Sequence, residues 1–201
     1  MVPGAQVSPS MNRLESVPHL RRAIPYILVG GVLACRGGAL AYIDVDGSDR
    51  VVVEEGSIVE DLLGDLGFEG FVQMNVVASE ELQNQGVEAG DISSVQLVSF
   101  ELAAVEPADG DLSFFESVAV WVEAPGLDPV MIADAVDFDE GRQVVSFDVY
   151  DVDLTDYVVS ESMTLTTDIV AGRPDKETVV EAAYLLDVGV TLQGAKKQAC
   201  N

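Results

Sequence analysis

Between Thr178 and Leu192 the even positions read Thr, Val, Ala, Tyr, Leu, Val, Val and Leu, while Glu181 and Asp187 fall on odd positions. Successive side chains of a strand point to opposite faces, so a strand puts both charges of this segment on one side. One face of a long β-strand must therefore line a core, and the rest of the chain has to supply its partners. Ala41, Ile43 and Val45 alternate in the same way, and Arg50–Glu54 reads as a returning strand after a turn at Asp46-Gly47. Val118, Val120 and Val122 alternate with Ala119, Trp121 and Glu123.

Other segments fit around these. Ser57 and Glu60 form a capping box for a short helix whose apolar face is Ile58, Leu62, Leu63 and Leu66, with Gly67 as its stop. Glu69–Ser79 reads as a strand, and Glu80–Gly90 as polar turn with one helical turn. In Ser94–Val105 the apolar parity changes from Val95 and Leu97 to Phe100 and Leu102, which predicts a β-bulge near Val98-Ser99. Pro107–Asp111 is a turn, and Ala124-Pro125-Gly126 fits a type II turn. Val130–Val136 is apolar without deciding between strand and helix. Val145, Phe147 and Val149 make one strand, followed by Leu154–Val158, and Met163, Leu165 and Ile169 mark the next. Many short strands with turns between them predict an antiparallel β-sandwich, immunoglobulin-like in architecture, over residues 39–193, with a polar tail at 194–201.

The N-terminal segment has a different grammar. Arg13, Arg21 and Arg22 precede the apolar run Ala23–Ala34, which is too short to span a bilayer and interrupted by Pro25 and Gly30-Gly31. The run ends in Val32-Leu33-Ala34-Cys35. This resembles the lipobox of bacterial lipoproteins. The resemblance covers roughly residues 11–36 and implies removal of residues 1–34, acylation of Cys35, a short tether at 35–38 and anchorage in the cell envelope. Arg36 rather than aspartate after the cysteine implies the outer membrane. The uncharged stretch before Met11 fits no part of a signal, so Met11 is the expected start. A lipidated Cys35 leaves Cys200 free, whereas an unprocessed chain could pair the two.

The formal net charge is −25, and three of the ten basic residues lie before Cys35 with only one of the 35 acidic ones, Glu15. So acidic a domain is unsuited to nucleic acid, whose binding rests on Lys and Arg at phosphates. It is equally unsuited to docking its protein surface on anionic lipid. Disorder does not follow from the charge, because 48% of the residues are apolar. Dispersed acidic residues keep an exported domain soluble.

His19 is the only histidine and lies in the segment to be removed. The remaining domain thus lacks the base of a Ser-His-Asp or Cys-His site and any histidine metal ligand. No Gly-x-Gly-x-x-Gly or Walker motif occurs. Two runs, Asp44-Val45-Asp46-Gly47-Ser48-Asp49 and Asp151-Val152-Asp153-Leu154-Thr155-Asp156, share the pattern D-V-D-x-x-D. Their carboxylates are of the type calcium takes, although neither run matches an EF-hand and Asp is common in turns. Asp137, Asp139 and Glu140 form a third acidic turn. Trp121 and Tyr150 fall opposite the core-facing parities, where they either cover the second sheet or face a ligand. The expectation is a non-catalytic, lipid-anchored binding, scaffolding or assembly module, held to the membrane through Cys35 and meeting an unidentified envelope protein or ligand, without a required cofactor. A secreted hydrolase using paired carboxylates and a calcium-stabilised adhesive module are the alternatives.

Overall fold

In a computed structural model the chain divides between Ala34 and Cys35 into two units, and the structure describes residues 41–58, 74–160 and 162–191 of the second. The strands are β1 (Ala41–Val53), β2 (Ile92–Glu106), β3 (Phe115–Glu123), β4 (Val130–Ala135), β5 (Val144–Ser146), β6 (Asp148–Val149), β7 (Thr164–Ala171) and β8 (Thr178–Val190). They form two four-stranded antiparallel sheets, β1-β8-β2-β5 and β6-β4-β3-β7. This is the expected β-sandwich.

The alternation in the last strand explains its central position. On β8, Thr178, Val180, Ala182, Leu186, Val188 and Val190 are each at most 3% exposed. Val118, Val120 and Val122 of β3 belong to the same buried cluster, contributed by the other sheet. Each fully buried Val or Leu contributes roughly 1.5–3 kcal/mol relative to exposure. The parity change in β2 is a bulge: the pairing with β8 slips between Leu97 and Ser99, Val98 turns out to solvent, and Phe100 and Leu102 return to the core. The turn at Ala124-Pro125-Gly126 also forms as expected, with Gly126 at φ 82° and the Leu127 N–H donating to the Ala124 carbonyl.

Three expectations need correction. Asp46-Gly47 is not a hairpin: β1 runs unbroken from Ala41 to Val53. Gly47 pairs directly with Tyr184 of β8, and a Cβ there would lie 2.5 Å from the Tyr184 hydroxyl and 2.6 Å from Cζ. The glycine therefore serves close approach of an aromatic ring, not a reversal of the chain. Val145–Val149 is not one strand. β5 pairs with β2, β6 pairs with β4, and Phe147 between them packs against Phe100 with ring centroids 5.0 Å apart. Continuous apolar parity was satisfied by a chain that passes from one sheet to the other. The described part of the strand expected at 69–79 is a single bridge, Met74 to Met163, followed by a 3-10 turn at Val76–Ala78. The short helix expected from Ser57 to Leu66 lies largely outside the described residues. The undecided Val130–Val136 segment is strand β4, and Thr155–Val158 is a helical turn.

The β5–β6 crossover closes one side of the sandwich. On the other side, Met74 is bridged to Met163, the residue before β7, and the helical turn Glu80–Gln83, capped by the Ser79 hydroxyl, buries Leu82 next to β1. Four of the seven steps between consecutive described strands change sheet, only β3 and β4 are consecutive strands that pair, and the first and last strands are neighbours.

The contact between Gly47 and Tyr184 can be tested. Gly47→Val is expected to lower stability in urea unfolding by about 1–3 kcal/mol through overpacking. Adding Tyr184→Ala should recover most of that loss, and strictly additive effects would mean that the ring does not occupy this space.

Candidate functional site at the loop end

The register defines two ends of the sandwich. Ala41, Ile92 and Val190 lie together at one, and Val53, Glu106 and Thr178 at the other. The second end gathers the turn after β1 and the β2–β3, β4–β5 and β7–β8 loops. These loops are tied to one another. The Gly56 N–H donates to the Pro174 carbonyl at 2.9 Å, and Arg173 Nη1 donates back to the Gly56 carbonyl at 2.6 Å. Lys176 Nζ meets both the backbone carbonyl and the carboxylate of Asp109, at 2.6 and 3.0 Å. Gly172 N–H donates to the Phe114 carbonyl, and Leu112 N–H to that of Arg142.

Asp111 organises one wall. Its Oδ1 accepts from the Ser113 amide and hydroxyl, and its Oδ2 accepts from the Gly141 amide at 2.9 Å. The Ser113 hydroxyl and the Gly141 amide hold this carboxyl below the usual range, as the Lys176 ammonium does for Asp109.

Between these loops lies a cleft of about 570 Å³. Asp111, Glu116 and Glu140 line its β3 side, and Arg173, Asp175 and Lys176 its β7–β8 side, with Phe114 and Pro174 as the apolar lining. Glu116 occupies a β-bulge: Phe115 pairs with Ala171 and Ser117 with Val170, leaving Glu116 as the extra residue. A bulge re-aims the side chain it carries. Glu116, Glu140 and Asp175 have no hydrogen-bond or ion-pair partner among the described residues. Of the four described cations, Arg142, Arg173 and Lys176 lie in the loops of this end, and Arg50 lies on β1 beside Glu181. Sequence reading missed the cleft because it is assembled from four separated loops. The available signal was Arg173 and Lys176 standing three residues apart in a chain otherwise poor in cations.

The residues singled out for calcium are distributed differently. Asp44 and Asp46 point outward from β1, whereas Asp49 is on the opposite parity and accepts from the Arg50 amide. Asp151 accepts from Gln96 Nε2 at 2.9 Å. Asp153 Oδ1 caps the helical turn through the Thr155 amide and hydroxyl, which lower its pKa, and Asp156 sits in that turn. The two D-V-D-x-x-D runs thus adopt unlike conformations, strand and capped turn. Among the described residues no group of three or more His, Cys, Asp or Glu is arranged to hold a metal ion. In the third acidic turn, Arg142 contacts the Asp139 carboxylate at 3.5 Å and the Asp137 carbonyl at 3.3 Å. Trp121 lies on the outer face of its sheet in register with Met131 and Thr166, and the Tyr150 hydroxyl donates to Asp134 Oδ1, which raises its pKa. Cys35 and Cys200 lie outside the described residues.

One acidic row has an energetic consequence. Asp44, Asp187 and Gln96 stand side by side on β1, β8 and β2. Asp187 Oδ1 is buried and lacks a hydrogen-bond partner among the described residues. Desolvation, and then the like charge of Asp44, raise the Asp187 pKa. The folded state therefore favours the proton, and ionised Asp187 opposes folding above its folded pKa. Asp187→Asn is expected to raise the melting midpoint by a few degrees at pH 7. The gain should shrink as pH falls through the raised folded pKa and vanish below the ordinary carboxylate value, where the wild type is neutral in both states. A gain unchanged between pH 7 and pH 3 would contradict this account.

No protein-family model matches the sequence, and no curated protein matches it. Among solved structures, a chain from Desmodium yellow mottle tymovirus aligns over 95% of this chain and 97% of its own, with 11% identity and a TM-score of 0.24. A likeness at that score carries no functional argument.

Proposed function

We propose that the chain is an exported lipoprotein of a bacterial envelope, most consistent with the outer membrane, whose β-sandwich is a non-catalytic binding or assembly module presented away from the lipid. The observation that carries this reading is the basic and apolar segment ending in Val32-Leu33-Ala34-Cys35. Six residues lead from Cys35 to Ala41, a reach of at most about 20 Å. An acylated Cys35 would keep the Ala41 end of the sandwich near the bilayer. β1 then carries the chain about 40 Å to the loop end.

The charges support that orientation. Asp44, Asp46, Asp151, Asp153, Asp156 and Asp187 belong to the half nearest Ala41, and none of the four described cations does. An acidic face opposes contact with anionic headgroups, so the domain would stand off the membrane and expose its loops.

Intact mass after expression in a bacterium with lipoprotein-processing enzymes tests the anchor. The wild type should begin at Cys35 and carry acyl chains, whereas Cys35→Ala should carry none. A wild-type chain that is cut elsewhere, left unacylated, or lighter by the hydrogens of a Cys35–Cys200 disulfide would overturn the reading.

A further inference from the structure

The outer face of the β6-β4-β3-β7 sheet carries side chains that neither the core nor the loops account for. In register across its middle stand Asp148, Asp134, Ala119 and Asp168, one from each strand in that order. Ala119 is the smallest of the four and leaves a depression of about 240 Å³ between Asp134 and Asp168. Strand spacing puts the backbones of β4 and β7 about 10 Å apart on either side of it. In the next row Val136, which follows Ala135, and Val170 flank Ser117 in the same way. Both valines are exposed, at 65% and 45%. In the row on the other side Trp121 stands between Met131 and Thr166. Tyr150, 40% exposed, donates its hydroxyl to Asp134 Oδ1. Asp168 has no hydrogen-bond or ion-pair partner among the described residues. Apolar and aromatic side chains gathered on an exposed face mark a surface for another macromolecule.

Resting on the reading of the sandwich as a binding or assembly module, we propose that this face docks a basic segment of a partner protein. One lysine or arginine side chain lies over Ala119 between Asp134 and Asp168. An aliphatic side chain two residues away lies over Ser117 between Val136 and Val170. Charge complementarity selects this occupant. The four described cations lie elsewhere, Arg50 on β1 and Arg142, Arg173 and Lys176 at the loop end, so no described cation neutralises the carboxylates of this face. The depression is smaller than the about 300–1,000 Å³ of small-molecule sites and suits a single side chain. A long basic side chain lays its methylene stem on apolar surface and keeps its charged end at the carboxylates. A spacing of two residues, about 7 Å, is that of one face of an extended strand, so the two rows together read a chain that runs along β3. A second copy of this acidic chain would instead set carboxylates against carboxylates. Among the described residues no group of three or more His, Cys, Asp or Glu is arranged to hold a metal ion.

Trp121 is the only tryptophan in the sequence, so its fluorescence reports on this face. The test titrates the full chain in detergent with the end-blocked peptide acetyl-Val-Thr-Lys-Thr-Val-amide while following Trp121 emission. The control peptide carries Nε-acetyl-lysine in place of lysine. The lysine peptide should give a saturable change, and acetylation should weaken binding roughly tenfold or more, the scale of one lost charged hydrogen bond. Asp168→Asn should weaken the lysine peptide by a similar factor and leave the acetylated one unchanged. Ala119→Leu, which fills the depression, should remove binding of both. Asp46→Asn, on the outer face of the other sheet, removes the same charge and should change nothing. Melting curves confirm that each variant is folded. Equal binding of the two peptides, equal weakening by Asp168→Asn and Asp46→Asn, or no saturable change up to about 10 mM peptide overturns the proposal. Acylation is measured separately: an acylated chain that ignores the peptide leaves the anchor standing and removes the docking face. An unacylated chain that binds it does the reverse.

Discussion

β8 holds a position that no other strand could fill, since it hydrogen-bonds β1 along one edge and β2 along the other while its even side chains stand in the core. A substitution that put charge on that face would strand it between two sheets, away from water and from any partner. The odd face is the outside of the sheet; there Glu181 pairs with Arg50, while Asp187 keeps one buried oxygen without a partner among the described residues. Both neighbours take their register from this strand. Gly47 exists in β1 because Tyr184 of β8 needs the space, and the bulge at Val98 in β2 restores the apolar phase against Leu186 and Tyr184. The chain's longest strand pairings thus answer to one alternating pattern.

The second sheet depends on the first through aromatic packing at the closed side. Phe147 sits where the chain leaves one sheet for the other, against Phe100 at 5.0 Å and Phe138 at 6.4 Å, and Phe138 continues to Phe115 at 5.4 Å. This run of rings reaches the start of β3, beside the bulge that carries Glu116. The core thereby positions the loop-end cleft: Phe115 points inward, and Glu116, its neighbour, is turned out toward the cleft.

These relations explain what could be read from the sequence. Alternation over Thr178–Leu192, the valines of β3 and the phase change in β2 are local patterns, and period two has a single structural meaning over that length. Asp46-Gly47 was misread because a glycine that accommodates a ring across a strand pair and a glycine that turns a hairpin are the same residue in a sequence. The Val145–Val149 segment was misread because alternation survives when a strand changes sheets. Most of the cleft was not legible for another reason. Asp111, Glu116, Glu140, Arg173 and Lys176 come together only once four loops are stacked at one end, and no spacing along the chain encodes that.

The distribution of charge follows from the same arrangement. A domain with so few cations would be expected to scatter each one as a local counter-ion to the surrounding carboxylates. Arg50 does behave so, against Glu181 across the β1–β8 pair. Arg142 and Lys176 also meet carboxylates, of Asp139 and Asp109, but together with Arg173 they converge on the loops, where Arg173 and Lys176 bond backbone carbonyls of other loops. In that role an Arg or Lys does more than neutralise a neighbour, because a carbonyl fixed by a charged donor locks one loop onto the next. Their removal would cost the loop end its shape before it cost the sandwich its core. The half nearest Ala41, left with carboxylates and no described cation, has no comparable electrostatic tie and relies on the capped turn at Asp153 and the pairing of β1 with β8. The domain is therefore polar along its length. One end carries carboxylates without a described cation, and the other is tied together by the few cations that bond its loops.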